Sequence, residues 1–187
     1  LSLLEQRSAD ILGKSTAMFF PKGMTAQFAV LKACEETTNS KYVALHPLSH
    51  IAWDEAESYQ YLLRLQAIKI GSYSSPFTVK ELKQLGSKKA AVVIVELPLR
   101  RAGFRCLEWE ELLAIRDWCR EHQVHLHLDG ARLWEAAQYY QRSEAAIAEL
   151  FNSVYVSFYK GLGGLGGAIL SGEAEFLKLC KTWRTRM

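Results

Sequence analysis

Short apolar runs alternate with amphipathic stretches along most of the chain. The clearest run, at 90–95, is a continuous series of small and β-branched residues that predicts a buried parallel strand. Further strands are predicted at 17–20, 42–45, 67–70, 124–128, 153–157 and 167–170. Because helical segments separate most of these strands, the pattern indicates βαβ units and predicts an α/β fold, a mostly parallel sheet flanked by helices.

Helical periodicity occupies the segments between several of the strands. Helices are predicted at 25–37, 52–65, 79–85 and 109–122. Thr78 is expected to cap the third of these, with Glu81 at the capping-box position. The chain has no internal repeat, linker or low-complexity segment, so residues 1–187 are predicted to form one domain.

Composition narrows the class of protein. Hydrophobic residues make up 49% and charged residues 23% of the chain, and the net charge is +3. The basic residues are mostly scattered, which gives no case for binding nucleic acid or a membrane surface. The four cysteines are widely spaced without a C-x-x-C pair, as expected for a reducing, cytoplasmic compartment. The chain lacks an initiator methionine and a secretory leader, so we expect it to begin inside a longer protein.

Two polar residues follow predicted strands and suggest cofactor chemistry. Lys160 lies just after the strand at 153–157, and Asp129 follows the strand at 124–128. Ligands bind at the carboxyl ends of parallel strands, where both residues should lie. Pyridoxal phosphate (PLP) needs a lysine amine for its Schiff base and an aspartate that keeps the pyridine nitrogen protonated. Either residue alone has a plainer interpretation, as a solvated loop charge or a turn; their convergence favours a PLP site.

Two further positions have both a functional and a structural interpretation. Gly23 ends a strand and opens a helix, a place where backbone N–H groups bind anions such as phosphate. An ordinary turn, capped by Thr25, explains the same residues equally well. His50 follows one predicted strand and precedes a helix, where it could stack on an aromatic cofactor or move a proton. A loop or capping role is its alternative.

Other known motifs are not satisfied. Gly161, Gly163 and Gly166 match the letters of the dinucleotide fingerprint, but a strand rather than a helix is predicted to follow them. We therefore expect a tight glycine loop near Lys160. The chain has no G-x-S-x-G motif of serine hydrolases. The five histidines have no zinc-binding spacing, so no metal site is predicted.

Two segments carry a family resemblance. The first is His-Leu-His-Leu-Asp-Gly-Ala-Arg-Leu-Trp-Glu-Ala-Ala at 125–137, and the second is Ser-Phe-Tyr-Lys-Gly-Leu-Gly at 157–163. Their order and spacing resemble the low-specificity L-threonine aldolases, members of the β-eliminating lyase family of PLP enzymes. The resemblance implies the aspartate-aminotransferase-like fold, also called fold type I. It implies the large domain of such an enzyme, without a short N-terminal segment and the C-terminal small domain.

The resemblance also implies a role for each matching residue. Lys160 would form the Schiff base, and Asp129 would pair with the pyridine nitrogen. Ala131 would lie beneath the cofactor ring, while His50 would stack on its opposite face. Arg132 would contact the phenolic oxygen of the cofactor or the carboxylate of the substrate.

The phosphate site implied by the resemblance departs from the family pattern. Gly23 and Met24 would hold the phosphate, helped by Ser157. The family usually has Ser-Gly-Thr at this turn, where this chain has Lys-Gly-Met. Tyr159 precedes the cofactor lysine in place of a common serine. Leu99 occupies the position of a histidine that is thought to assist at the substrate hydroxyl.

The implied reaction cleaves the Cα–Cβ bond of a β-hydroxy-α-amino acid. L-threonine or L-allo-threonine would give glycine and acetaldehyde, with His50, His46 or a water molecule as the base in place of the missing histidine. Two alternatives remain, because a fold does not fix a reaction. One is a β-eliminating lyase or aminotransferase; the other is a PLP-binding homologue with little catalysis. The family further implies a homodimer or homotetramer.

Overall fold

A single mixed sheet forms the centre of the computed structural model, which describes residues 1–85 and 89–187. Within these residues the sheet has seven strands in the order β1-β7-β6-β5-β4-β2-β3. Their bounds are β1 Thr16–Phe20, β2 Tyr42–Leu45, β3 Gln66–Lys69, β4 Val92–Glu96, β5 His125–Asp129, β6 Ser153–Ser157 and β7 Ala168–Gly172. Only β7 runs against its neighbours β1 and β6. The predicted α/β fold with a mostly parallel sheet is therefore confirmed.

Helices cover both faces of this sheet. The helices are α1 Ser2–Leu12, α2 Gly23–Thr38, α3 His50–Trp53, α4 Ser58–Tyr61, α5 Val79–Leu82, α6 Trp109–Glu121, α7 Leu133–Tyr140, α8 Glu144–Ala148 and α9 Ala174–Arg186, with 3₁₀ turns at Lys83–Leu85 and Arg100–Ala102. Helices α2 and α9 pack together on one face, and α1, α5, α6, α7 and α8 contribute to the core on the other. No helix in the described part of the chain is long and apolar enough to cross a membrane.

The central strand β4 shows why the sheet is buried on both faces. Val92 and Ile94 point into the α2–α9 core, whereas Val93 and Val95 point into the opposite core. All four side chains are at most 2% exposed. A run of β-branched residues suits this position, because alternate side chains of a strand face opposite sides of the sheet.

The predicted helix at 52–65 is wrong. The structure has two single helical turns instead, α3 and α4. Ala56 and Glu57 between them have φ angles of 48° and 54°, and Arg64 has 60°. A right-handed helix cannot continue through residues in this left-handed conformation. Of the four apolar residues predicted on one face of this helix, Tyr59 and Leu63 are buried, whereas Trp53 and Ala56 are exposed.

The predicted helix at 79–85 is shorter than expected. Helix α5 ends at Leu82 and continues only as a 3₁₀ turn. Its capping box is confirmed, since Thr78 accepts from the Glu81 backbone while the Glu81 carboxylate accepts from the Thr78 N–H at 2.8 Å. The glycine segment at 161–166 is a loop between β6 and β7, as predicted.

Candidate active site

The parallel strands deliver polar residues to one edge of the sheet. Glu96 and Asp129 are the last residues of β4 and β5, and they lie side by side in register. Lys160 follows the end of β6 by three residues. Gly23 and His50 begin the helices that follow β1 and β2. Since these strands share one direction, all five residues lie at their carboxyl ends.

Two adjoining cavities at this edge contain most of the predicted site residues. His50, Asp129 and Lys160 line both of them. The cavity beside α2 is also lined by Lys22, Met24, Gln27, Glu55, Tyr155 and Tyr159. The cavity beside β4 is also lined by Glu96, Leu97, Pro98, Arg100, Ala131 and Arg132. The structure thus places a lysine amine, a buried carboxylate and an imidazole around the same space.

Asp129 is a buried carboxylate with little hydrogen bonding of its own. It is 3% exposed, and its Oδ1 accepts from the Ala131 backbone N–H at 3.2 Å. Burial raises the pKa of this carboxyl, while the nearby Lys160 ammonium and His50 act to lower it. A cation placed beside Asp129 would therefore stabilise its ionised form. A protonated pyridine ring is such a cation.

Glu96 holds two loops of the site in place. Its Oε2 accepts from the His50 backbone N–H at 2.7 Å, and its Oε1 accepts from the Arg100 N–H at 3.2 Å. Burial first, and then the neighbouring Asp129, raise the pKa of the Glu96 carboxyl. The His50 imidazole extends from the start of α3, with its Nε2 3.4 Å from Glu55 Oε1. Glu96 thus fixes where His50 enters the cavity.

The Gly23 turn has room only for glycine. A Cβ atom at this position would lie 2.1 Å from the Tyr155 hydroxyl oxygen. Gly23 opens the 16-residue helix α2, so its end of the cavity carries the unpaired N–H groups of a helix N-terminus. Ser157 is 1% exposed, and its hydroxyl has no hydrogen-bond partner among the described residues. Met24 is buried and lines the same cavity.

Arg132 retains an unused donor beside the second cavity. Its Nη1 donates to Glu135 Oε1 at 3.0 Å, and its guanidinium lies 5.3 Å from the centre of the Phe104 ring. Its Nε is buried and makes no hydrogen bond within the described part of the chain. Ala131, the adjacent residue, lines the cavity with a small side chain. The donor and the small surface are thus available to a bound molecule.

His46, an alternative base, and Leu99, which replaces the family's histidine, do not line these cavities. Leu99 is 2% exposed, and its backbone pairs with Arg105 at 2.8 Å, whereas the adjacent Pro98 lines the cavity. His46 is buried with both ring nitrogens engaged: Nδ1 accepts from Leu48 N at 3.0 Å, and Nε2 bonds to the Ser75 carbonyl at 2.9 Å. Burial lowers the pKa of His46. These bonds leave His46 no free nitrogen for a substrate.

Sequence reasoning assigned no role to Tyr155 or Gln27 in this site. Tyr155 lies two residues before Ser157, and the alternation of side chains along β6 could have identified it as a neighbour. Burial raises the pKa of its hydroxyl well above the usual value. Gln27 lies one helical turn after Gly23, on the face of α2 turned toward the cavity. No motif in the sequence marks it.

The residues present fit PLP. A buried carboxylate lies close to a lysine ammonium, which suits the ring nitrogen and the aldehyde carbon of that cofactor. The unpartnered Ser157 hydroxyl and the close-packed Gly23 turn suit a phosphate. This donor set, with amine, carboxylate and helix N-terminus at one sheet edge, contains each group that the cofactor requires.

Comparison with known proteins identifies the family. The sequence model of the beta-eliminating lyases matches residues 2–187, nearly the whole chain. The chain belongs to the beta-eliminating lyase family. Enzymes of this family and the threonine aldolases are PLP-dependent, which confirms the cofactor predicted from the sequence.

Solved structures of two family members are very similar to this chain. A candidate L-allo-threonine aldolase of Listeria monocytogenes is 40% identical with a TM-score of 0.96, over 99% of this chain and 51% of that one. A candidate aromatic amino acid beta-eliminating lyase/threonine aldolase of Exiguobacterium is 41% identical with a TM-score of 0.94, over 98% and 51%. These likenesses confirm PLP fold type I.

Curated relatives differ in their described activities. The low-specificity L-threonine aldolase of Escherichia coli is 26% identical over 98% of this chain and 56% of its own length. The alanine racemase TOXG of Cochliobolus carbonum is 30% identical over 97% and 47%. The chain thus spans about half the length of these relatives. Family membership fixes the cofactor, but the reaction must be argued from the site.

Proposed function

We propose that the full-length protein is a PLP-dependent aldehyde-lyase acting on L-threonine or L-allo-threonine. Cleavage of the Cα–Cβ bond would yield glycine and acetaldehyde. The observation that carries this proposal is the convergence of Lys160, Asp129 and His50 on the same two cavities. The likeness to the Listeria protein and to the Escherichia coli enzyme supports the substrate class.

Residues of this chain would hold the cofactor at its covalent attachment, its ring nitrogen, its phosphate and both faces of its ring. Lys160 would bind it covalently, and Asp129 would keep a proton on its ring nitrogen. Gly23 and Ser157 would hold the phosphate, with Met24 beside it. Ala131 and His50 would bound the two faces of the ring. PLP supplies an electron sink for the carbanion left at Cα.

Arg132 would bind the α-carboxylate of the amino acid. Its buried Nε lacks a partner among the described residues, and the guanidinium already lines the cavity. Arginine donors and a carboxylate form charge-assisted hydrogen bonds, often in pairs. The Glu135 carboxylate holds the far side of the guanidinium at 3.0 Å, which fixes its orientation. The carboxylate of the substrate would then be held in the cavity beside β4.

His50 would act as the base that removes the proton of the substrate hydroxyl. Its imidazole lines both cavities, whereas His46 has no free nitrogen and Leu99 cannot transfer a proton. Imidazole accepts protons near neutral pH, and a positioned general base contributes about 10²–10⁴-fold to a rate. Glu55, 3.4 Å from His50 Nε2, would stabilise the imidazolium that forms.

The proposal is tested by measuring glycine and acetaldehyde with the full-length protein. L-threonine and L-allo-threonine should give both products in equal amounts, and Lys160→Ala should abolish them. His50→Asn should lower kcat by about 10² or more, since it removes the base. His122→Asn serves as a control, because His122 is exposed and its ring contacts its helix neighbour Trp118, away from both cavities.

Two outcomes would favour the competing functions. Release of pyruvate and ammonia from serine, without glycine from threonine, would indicate a β-eliminating lyase. Bound PLP without turnover of any tested amino acid would indicate a non-catalytic homologue.

A further inference from the structure

A chain of polar side chains, half-buried at His125 and buried at its other members, leads through the sheet toward Asp129. It consists of His125, Ser153, His127 and Gln27. His125 Nε2 and His127 Nδ1 each lie 2.7 Å from the Ser153 hydroxyl oxygen. His127 Nε2 lies 2.8 Å from Gln27 Oε1. Gln27, His127 and Ser153 are at most 1% exposed, so these three side chains are shielded from solvent.

The protons along this chain have one consistent arrangement. Burial lowers the pKa of both His125 and His127 to about 3, so each ring is neutral and carries a single N–H near pH 7. The Gln27 carbonyl oxygen can only accept, so His127 Nε2 must donate to it. His127 Nδ1 then accepts from the Ser153 O–H. Ser153 in turn accepts from His125 Nε2–H, and every donor points toward Gln27.

The last donor of the chain faces Asp129. Gln27 and Asp129 line the same cavity, and the Gln27 amide acts to lower the pKa of the Asp129 carboxyl. Because Oε1 is bound to His127, Nε2 is the atom of the amide that is left to interact with Asp129. Nε2 itself is buried and has no hydrogen-bond partner within residues 1–85 and 89–187. The opposite orientation of the amide would place Oε1 against a carboxylate and would be repulsive.

We propose that Gln27 is a positioning residue, oriented by His127 and Ser153, that donates its Nε2–H to Asp129 and keeps that carboxylate ionised toward the ring nitrogen of PLP. This inference rests on the role proposed above for Asp129. Burial raises the pKa of Asp129 and so favours its protonated form, which could not stabilise a protonated pyridine. The Gln27 N–H, held in place by the hydrogen bond to His127, favours the ionised form of Asp129 instead.

Loss of this donor should change the protonation of the cofactor. Without the Gln27 N–H, the Asp129 carboxyl holds a proton more strongly and draws it from the pyridine nitrogen. We therefore expect Gln27→Leu to move the ¹⁵N signal of ring-labelled PLP toward that of neutral pyridine. A hydrogen bond to a charged group is lost, so the dissociation constant of PLP should rise by about tenfold or more. A side chain that served packing alone would leave the ¹⁵N signal unchanged.

A matched pair of serines supplies the control. Ser153 and Ser171 lie on adjacent strands, and both are fully buried. Ser171 donates to the Thr16 carbonyl at 2.7 Å and has no part in the chain. Ser153→Ala should shift the ¹⁵N signal in the same direction as Gln27→Leu, by a smaller amount, because it frees His127 to rotate or change tautomer. Ser171→Ala should leave the signal unchanged.

The outcomes separate this inference from the proposed function. If the full-length wild-type protein binds no PLP, the proposed function is wrong. If the wild type binds PLP while folded Gln27→Leu shows the same affinity and the same ¹⁵N signal, the role of Gln27 is wrong. Should Gln27→Leu not fold, the serine pair decides: identical signals from Ser153→Ala and Ser171→Ala would overturn the inference.

Discussion

Gly23 and Tyr155 show how one side chain restricts its neighbour at the scale of single residues. The Tyr155 hydroxyl fills the space that any Cβ at position 23 would need. The same turn opens α2 and should hold the cofactor phosphate. Glycine is therefore needed for close packing, at a place where the sequence suggested a role in phosphate binding or an ordinary turn.

Gly23→Ala should destabilise the protein and weaken PLP binding together. The added methyl group must displace Tyr155, and such overpacking costs about 1–3 kcal/mol. Thermal unfolding and a PLP titration measure the two effects. Gly166→Ala is the control, because a Cβ at Gly166 meets no atom within 4 Å. Equal stability of the two variants would contradict the packing argument.

Residues were predictable where a motif or a strand end marked them. Lys160 and Asp129 follow apolar runs, so their common edge could be predicted from the sequence, and the structure places both around one cavity. Gln27 and Tyr155 could not be found this way. Gln27 is a polar residue within a helix, and its importance depends on contacts across 100 residues of sequence. Such contacts leave no local pattern.

At the scale of elements, strands were easier to predict than helix boundaries. A buried strand needs only a short apolar run, and β2 and β6 have the predicted bounds. The segment at 52–65 has helical spacing, but left-handed residues break it into two turns. Its own side chains do not reveal this break. Before the break, hydrogen bonds join the start of α3 to the loop after β4.

Glu96 connects α3 to the loop that follows β4. Its carboxylate joins the N-terminus of α3 to the 3₁₀ turn at Arg100–Ala102. Asp54 reinforces the connection through ion pairs with Arg100 and Arg101, and these arginines lower the pKa of its carboxyl to about 2. The position of His50 therefore depends on contacts between two short elements rather than on a long helix.

Replacing Glu96 should change the pH dependence of stability. The folded state raises the pKa of this carboxyl, so ionising it costs stability as pH rises above about 4.5, by at most about 1.4 kcal/mol per pH unit. Glu96→Gln has no ionisable carboxyl and avoids this loss of stability. Its side-chain amide has only one oxygen, so it can accept only one of the two backbone N–H groups that Glu96 binds, those of His50 and Arg100. The variant should be less stable than wild type at pH 4.5, and the difference should shrink toward pH 7.

Urea unfolding of the PLP-free protein between pH 4.5 and 7.5 measures this effect. Glu175→Gln is the control, since its side chain is 83% exposed. A constant difference between wild type and Glu96→Gln across this range would contradict the assignment of the raised pKa to Glu96.

At the scale of the whole molecule, the fold places its chemistry at one sheet edge. The alternation of strands and helices was sufficient to predict this edge, because parallel strands share their carboxyl ends. The chain spans about half the length of its relatives, and this edge holds the residues proposed to bind the cofactor. Cytoplasmic location and assembly into a dimer or tetramer remain predictions from the sequence and the family.

Locating the lysine that carries the cofactor is the most direct test of whether Lys160 forms the Schiff base. Two lysines, Lys22 and Lys160, line the cavity beside α2. The full-length protein should be loaded with PLP, reduced with borohydride and digested, and the peptide carrying the pyridoxyl group sequenced by mass spectrometry. We expect the pyridoxyl group on Lys160. The Lys160→Ala variant should carry none, and the Lys22→Ala variant should carry as much as the wild type. A pyridoxyl group on Lys22, or none on either lysine, would contradict this expectation.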